Sequence, residues 1–326
     1  MLCITSPSHD PYFNLAAEEY LLKCFQEDFF LLYRNRPSIV VGKHQNTLAE
    51  INFDFVQEKG IVVARRISGG GTVFHDMGNL NFAFITNGKE GEMVDYRRHT
   101  QPVIDAMKSM GLDVSLGKRN ELLLGSYKIS GTASHVFKRR SLHHGTLLFS
   151  SRIEDLSDAL KVQAERFNDR AVKSVRSKVT NIQDHLVEKM ELEDFQNRLL
   201  GFIFNSLDNA SSYQYNDQDM NEIQRLSDSK FSTWEWNFGY SPKYEFSKKL
   251  VFNSGNLALH MNVEKGIIQK VNFEGEFMTT RDIHGLEDVL VGTIHDPETL
   301  RKRLSGINVA EYITGLDNEV LLSGMF

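Results

Sequence analysis

The stretch of this chain richest in potential chemistry is RRISGGGTVFHD at residues 65–76. Three successive glycines, Gly69 to Gly71, remove every Cβ from a short run, so backbone N–H groups can close on a ligand and point together, as a phosphate or carboxylate oxygen requires. The run matches neither GxxxxGK[ST] nor GxGxxG, and Thr72, Val73 and Phe74 behind it favour a strand over a helix. The expectation is therefore an anion cradle between two strands. A glycine-rich hairpin whose arginines face water is the competing reading; the flanking Arg65, Arg66, His75 and Asp76 favour the cradle. A second candidate is Lys128 in YKISGTA, an ammonium on a strand followed by the small polar residues Ser130, Gly131 and Thr132, with an ordinary solvated lysine as the plain alternative. Glu121, in an Asn120-Glu121 turn, is a carboxylate able to carry Mg²⁺ beside a phosphate site. His143 and His144 are neighbours in a strand, point to opposite faces and cannot share one metal ion, so at most one of them serves a pocket.

The elements that would position these groups follow from periodicity. Asp10 is placed to cap a helix with Pro11 in its first turn, and Phe13, Ala17, Tyr20 and Cys24 recur at three- and four-residue spacing, predicting one buried stripe. Strands are expected at 29–35, 38–44 and 61–67, then over Leu80, Phe82 and Phe84, at 122–124, as one run at 127–137, and at 143–150. Helical spacing occupies 100–110, with Gly111 as its terminator, then 154–161 and 192–207. A Ser-Pro turn after WEWNFGY leads into a second run of strands and a helix capped by Asp296-Pro297. The fold class is α+β: a large domain over 1–246, with mixed or antiparallel sheets flanked by helices, and a small α+β domain over 247–326.

Composition narrows the function. The 326 residues are 41% hydrophobic and 25% charged, ordinary values for a globular chain of about two domains. A formal charge of −6 argues against a protein that coats nucleic acid, and apolar runs such as LLGFIF fall far short of the ~20 residues a membrane helix needs. Cys3 and Cys24 form neither a disulfide framework nor a zinc spacing, which suits a reducing cytoplasm.

Taken in order, DPYFNLAAEEY at 10–20, VVGKHQN at 40–46, RRISGGGTVFHDMGNLNFAF at 65–84, RNELLL at 119–124, KISGTA at 128–133, HHGTLL at 143–148, SVRSKVTN at 174–181 and WEWNFG at 234–239 resemble the lipoate–protein ligase A family, within the biotin and lipoate ligase superfamily. The resemblance spans nearly the whole chain. It implies activation of lipoate by ATP to lipoyl-AMP, then acyl transfer to one lysine of a lipoyl domain, in 2-oxoacid dehydrogenase complexes or the glycine cleavage H protein. It further implies that Lys128 is catalytic; that Arg66, Gly71, Thr72, Val73, Phe74 and Lys128 bind ATP; and that Leu15, Tyr33, Arg65, Ser68, Gly70, His75, Lys128 and His144 bind lipoate. Glu121 stands where the family often has Asp and is the candidate Mg²⁺ ligand; Tyr33 stands where relatives can carry Trp.

Four rivals share parts of this pattern, of which a biotin ligase is the weakest, because the basic glycine-arginine loop expected of that branch is replaced by RRISGGG. A lipoyltransferase would use preformed lipoyl-AMP without making it. An octanoyltransferase would work without ATP through a cysteine thioester, for which Cys3 at the N-terminus and Cys24 on the expected buried stripe are poorly placed. A binding module would keep the pocket without turnover. Lys173, Arg176 and Lys178 form a basic run that could steer an acidic acceptor surface.

Overall fold

The structure, a computed structural model, describes residues 1–88, 93–160, 164–175, 177–207, 209–252 and 254–326. In chain order its strands are β1 (Leu2–Thr5), β2 (Phe29–Tyr33), β3 (Ser38–Val41), β4 (Val62–Arg65), β5 (Val73–His75), β6 (Asn79–Asn87), β7 (Val114–Leu116), β8 (Leu122–Leu124), β9 (Tyr127–Ser130), β10 (Thr132–Phe137), β11 (Arg140–Leu148), β12 (Phe167–Asp169), β13 (Ser211–Ser212), β14 (Tyr244–Phe252), β15 (Gly255–Glu264) and β16 (Ile267–Glu276). The helices are α1 (Pro11–Cys24), α2 (Phe53–Lys59), α3 (Tyr96–Ser109), α4 (Ile153–Ala159), α5 (Leu192–Ser206), α6 (Asp217–Leu226), α7 (His284–Leu290), α8 (Pro297–Leu304) and α9 (Asn318–Gly324). Among the described residues no helix is long and apolar enough to cross a membrane.

Two compact units share the chain. The first takes Met1–Lys43, Phe55–Leu160 and Ser174–Thr233; the second takes His44–Asp54, Lys161–Lys173 and Trp234–Phe326. The division expected at 246/247 falls inside β14, and the second unit gathers segments from much earlier in the chain.

In the first unit, among the described residues, a six-stranded sheet runs in the order β10-β11-β6-β2-β1-β13, parallel at β13/β1/β2 and antiparallel from β2 onward. Strand alternation sorts its side chains. Phe30, Leu32, Leu80, Phe82 and Phe84 join a core with Val103 and Met107 of α3 and Phe195, Leu199 and Ile203 of α5. On the other face, Tyr33 and His144 hydrogen-bond to Glu18 of α1.

Helix α1 starts as its sequence dictates: the Asp10 carboxylate accepts from the Tyr12 and Phe13 amides, and Pro11 occupies the first turn. Its expected single stripe is not what folds. Phe13 and Ala17 are buried, but Cys24 is exposed, while Asn14, Glu18 and Glu19 are buried with Leu15, Ala16, Leu21 and Leu22. Both sides of the helix are covered, because α6 packs on the side away from the sheet and Tyr20 donates to Asp219 there. A helix covered on two sides has little solvent face to leave polar, so its buried polar residues must find partners inside.

The run 127–137, expected as one strand, breaks at Gly131 into β9 and β10, which lie in different sheets. Gly131 donates to Thr146 Oγ1 and accepts from the Thr146 amide, and that exchange turns the chain from one sheet to the next. Helix α4 ends at Ala159, and residue 161 of the expected helix lies outside the described residues.

The second unit holds the sheet β12-β14-β15-β16. Leu257, Leu259, Met261 and Val263 alternate along β15 into a core shared with Leu286 and Leu290 of α7, Leu300 and Leu304 of α8, and Leu321 of α9. Lys265 and Gly266, both at positive φ, close the β15–β16 hairpin, and Trp234 packs so closely on Gly266 that a Cβ there would stand 2.2 Å from its ring. Asp296 caps α8, as expected.

The rings of Phe149 and Phe195, 4.8 Å apart and fully buried, fix α5 to the core of the first unit. Phe195→Ala is expected to lower stability by about 3–5 kcal/mol, read as a fall in the urea midpoint.

Candidate active site

The glycine run is a crossing between two strands. β4 runs parallel to β3 and β5 antiparallel to it, so residues 66–72 must pass over the end of β3. They pass at Gly42, where a Cβ would stand 2.1 Å from the Gly70 carbonyl oxygen. Lys43 N–H donates to Ser68 O and Arg66 N–H to Val41 O, pinning the crossing, and Gly70 turns at φ +89°, where a side chain would be strained. Beyond it β5 is an edge strand, so one row of backbone groups at 73–75 is not taken by sheet pairing.

Arg66 organises this loop from beneath. It is buried, donating from Nε to Ser68 Oγ (3.0 Å), from Nη1 to Val40 O (3.0 Å) and from Nη2 to the carbonyls of Gly69 (2.6 Å) and Gly71 (2.7 Å). Burial pulls its guanidinium down to about 10, against the nearby Glu18, which favours the charged form. Arg65 points elsewhere. It is fully buried and donates to the carbonyls of Gly42 (3.0 Å) and Lys43 (3.2 Å), which secures the end of β3. The structure thus gives both arginines scaffold contacts, Arg65 to the end of β3 and Arg66 to β3 and the glycine loop.

Lys128 on β9 is half-buried. Its Nζ lies 3.4 Å from the point a Gly131 Cβ would occupy, and Val73 Cγ1 lies 3.8 Å from that same point, so the lysine and the glycine loop converge. Among the described residues its Nζ has no hydrogen bond or ion pair. Burial lowers its pKa; Glu121 opposes the shift, and Arg119 and Arg66 add to it. The backbone of Lys128 is held by residues 178–180: its N–H donates to Lys178 O and its carbonyl accepts from Thr180 N–H. Nearby in sequence, Ser174 Oγ accepts the Thr72 amide at 2.8 Å. Lys178 is exposed; Lys173, also exposed, belongs to the second unit; Arg176 lies outside the described residues.

The histidines sort by face, as alternation requires. His144 donates from Nδ1 to the Glu18 carboxylate (2.8 Å), and its Nε2 lies 2.6 Å from Ser68 Oγ; the Tyr33 hydroxyl donates to the same carboxylate (2.9 Å). His143 faces α3, stacked on His99 with centroids 5.2 Å apart, and is not part of this network. His75 is buried and receives an N–H bond from Asn35 at Nδ1 (2.9 Å), which leaves the proton on Nε2. That N–H has no partner among the described residues, so it is a donor in place for a ligand. Leu15 is buried on α1.

Glu121 is bound into its own turn: Oε2 accepts the Arg119 amide (2.7 Å) and the carboxylate lies over Gly117. Among the described residues no group of three His, Cys, Asp or Glu side chains could cage a metal. A single carboxylate fits Mg²⁺ only as a companion to ligand phosphates and water. The cysteines lie apart from Lys128. Cys3 is buried in the sheet, and Cys24, at the end of α1, neighbours Lys23, Glu222 and Arg225; burial raises both thiols, which disfavours the nucleophilic thiolate.

Sequence reasoning missed Glu18 and Asn14. The signal was present: polar residues four apart among mostly apolar helix positions, facing a strand that carries histidine.

A glycine crossing beside a converging lysine, followed by a small sheet-and-helix unit, defines a class. Residues 10–204 match the lipoyl protein ligase A/B catalytic domain, and residues 241–324 match the bacterial lipoate protein ligase C-terminus. The chain belongs to the lipoate–protein ligase family. It is 39% identical to lipoate–protein ligase 1 of Staphylococcus aureus over 96% of each chain. Among solved structures, a lipoic-acid-bound ligase from Thermoplasma acidophilum matches at TM-score 0.62 and 25% identity, over 73% of this chain and 98% of that one. The bipartite ligase of that organism, described with its E2 lipoyl domain, matches at 0.62 and 27%, over 73% and 95%. A lipoate-protein ligase A bound with ATP matches at 0.62 and 26%, over 73% and 98%.

Burial, with Arg66 and His144 nearby, pushes His75 down to about 3. Because its folded value lies below the unfolded value near 6.5, its contribution to stability is complete above pH 6.5 and is lost as pH falls toward 3, at about 1.4 kcal/mol per pH unit. Urea unfolding at pH 6.5, 5.5 and 4.5 should show at least this slope, because buried His143 and His295 are lowered in the same sense, and His75→Asn should reduce it by about 1.4 kcal/mol per pH unit.

Proposed function

We propose that this family member is an ATP-dependent ligase that makes lipoyl-AMP and transfers its acyl group to a lipoyl-domain lysine. A lipoate carboxylate oxygen attacks the α-phosphorus; the new P–O bond forms as the α–β bridging bond breaks, and pyrophosphate leaves with the electron pair. The acceptor amine then attacks the acyl carbon, the bond to AMP breaks, and the amine gives up a proton. The first step presses two anions together, so it needs positive charge fixed in advance where the new bond forms.

The observation that carries the reading is the position of Lys128: a half-buried ammonium with no hydrogen bond or ion pair among the described residues, converging with Val73 above Gly131. In this proposal Lys128 contacts the lipoyl carboxylate and the α-phosphate, and Gly71, Thr72, Val73 and Phe74 present backbone groups to the nucleotide. Arg66 acts on ATP through the loop that it holds. Leu15, Tyr33, Ser68, Gly70, His75 and His144 line the lipoyl site, where the free Nε2–H of His75 is the available donor. Arg65 supports that site from β4. Mg²⁺ would neutralise phosphate charge, with Glu121 as its protein carboxylate. The acceptors are lipoyl domains of 2-oxoacid dehydrogenase complexes and the glycine cleavage H protein, and the compartment is the cytoplasm, which suits two free thiols.

Purified protein mixed with ATP, lipoate and a lipoyl domain should add one lipoyl mass to the acceptor and release pyrophosphate. Transfer from supplied lipoyl-AMP without pyrophosphate release from ATP would identify a transfer-only enzyme instead. Lys128→Ala should slow adenylation by about 10²–10³-fold while weakening ATP binding far less. Equal losses in titration and turnover would remove its transition-state role.

A further inference from the structure

Helix α1 presents two buried polar residues one turn apart to the site, and each orients a histidine. Asn14 donates to Asn35 Oδ1 (2.8 Å), and Asn35 donates to His75. Glu18, four residues on, receives both the Tyr33 hydroxyl and the His144 Nδ1–H. Both α1 residues are at most 1% exposed, far from what a solvated helix face would give.

The Glu18 branch reaches the loop through a chain of hydrogen bonds whose direction is determined. An ionised carboxylate only accepts, so in a neutral His144 the proton sits on Nδ1 and Nε2 is an acceptor. A guanidinium only donates, so the Ser68 oxygen must accept from Arg66 Nε. The single Ser68 hydroxyl hydrogen is then directed to His144 Nε2, at 2.6 Å. Arg66, held at Nε, places Nη2 between the carbonyls of Gly69 and Gly71. With those carbonyls turned to Arg66, the intervening loop is fixed in one form. Glu18 also supplies the negative charge that a buried Arg66 requires.

We propose that Glu18 is a positioning residue for the nucleotide-binding loop, acting through His144, Ser68 and Arg66 although it contacts none of the three glycines. The proposal rests on the assignment of the loop to ATP. Its signature is coupling between side chains that do not touch: Glu18 reaches Ser68 through His144, and Ser68 holds Arg66 at Nε.

The test is ATP binding by calorimetry, without lipoate, alongside thermal unfolding. Glu18→Gln and Ser68→Ala should each weaken ATP roughly tenfold, about the contribution of one buried hydrogen bond, and the double variant should be little worse than either. In a His144→Ala background Glu18→Gln should retain only the small share owed to its charge near Arg66, whereas His144→Gln, which offers a carbonyl near the Nε2 position, should recover part of the affinity. Additive losses for Glu18→Gln and Ser68→Ala would overturn the proposal, as would wild-type ATP affinity in Glu18→Gln with only a lowered melting temperature. If Glu18→Gln does not fold, the comparison of Ser68→Ala, His144→Ala and His144→Gln still decides, since failure of His144→Gln to exceed His144→Ala removes the relay. Absence of ATP binding by the unaltered protein would instead count against the assignment of the loop itself.

Discussion

A buried guanidinium that must find acceptors is the constraint on which this site is built. Arg66 is almost wholly removed from water, and the carbonyls nearest to it are those of the chain it belongs to. Meeting that demand bends residues 68–71 around one side chain, and only glycine tolerates the result: Gly70 at positive φ and Gly42 directly beneath it. The triple glycine supplies a backbone that can wrap a cation on its inner side. Its outer side is then what a ligand meets.

That arrangement makes demands on the rest of the first unit. A buried cation needs a buried anion, and Glu18 is available because α1 is covered on both sides. The helix in turn needs its Asp10 cap and its contacts with α6, since a frayed first turn would move Asn14 as well. Lys128 reaches the loop from the other direction, on a strand that ends at Gly131 so that the chain can pass from one sheet to another. Two cations of different kinds result: one bonded at all three nitrogens and structural, the other with no hydrogen bond or ion pair among the described residues.

Much of this was legible in the sequence, and the limits have physical causes. The cap of α1, the strand–loop–strand reading of RRISGGGTVFHD and the opposite facing of His143 and His144 follow from local rules, and each appears as expected. The stripe on α1 did not form as expected because periodicity assumes one covered face, and α6, nearly two hundred residues away, covers the other. The break at Gly131 was hidden because both halves have strand composition and only their partners differ. The second unit could not be bounded by composition, since its early segments are tied in by contacts such as Thr47 Oγ1 to Asn237 O. Glu18 was overlooked for a related reason: on a helix, glutamate usually indicates water.

The Ser174 hydroxyl on the Thr72 amide alters how a visitor is received. An amide already engaged is not a bare electrostatic trap, so an incoming oxygen gains only the difference between two hydrogen bonds. A lone small anion profits little from such an exchange. A guest with further contacts offsets that loss elsewhere, so the occupied amide favours size over charge alone.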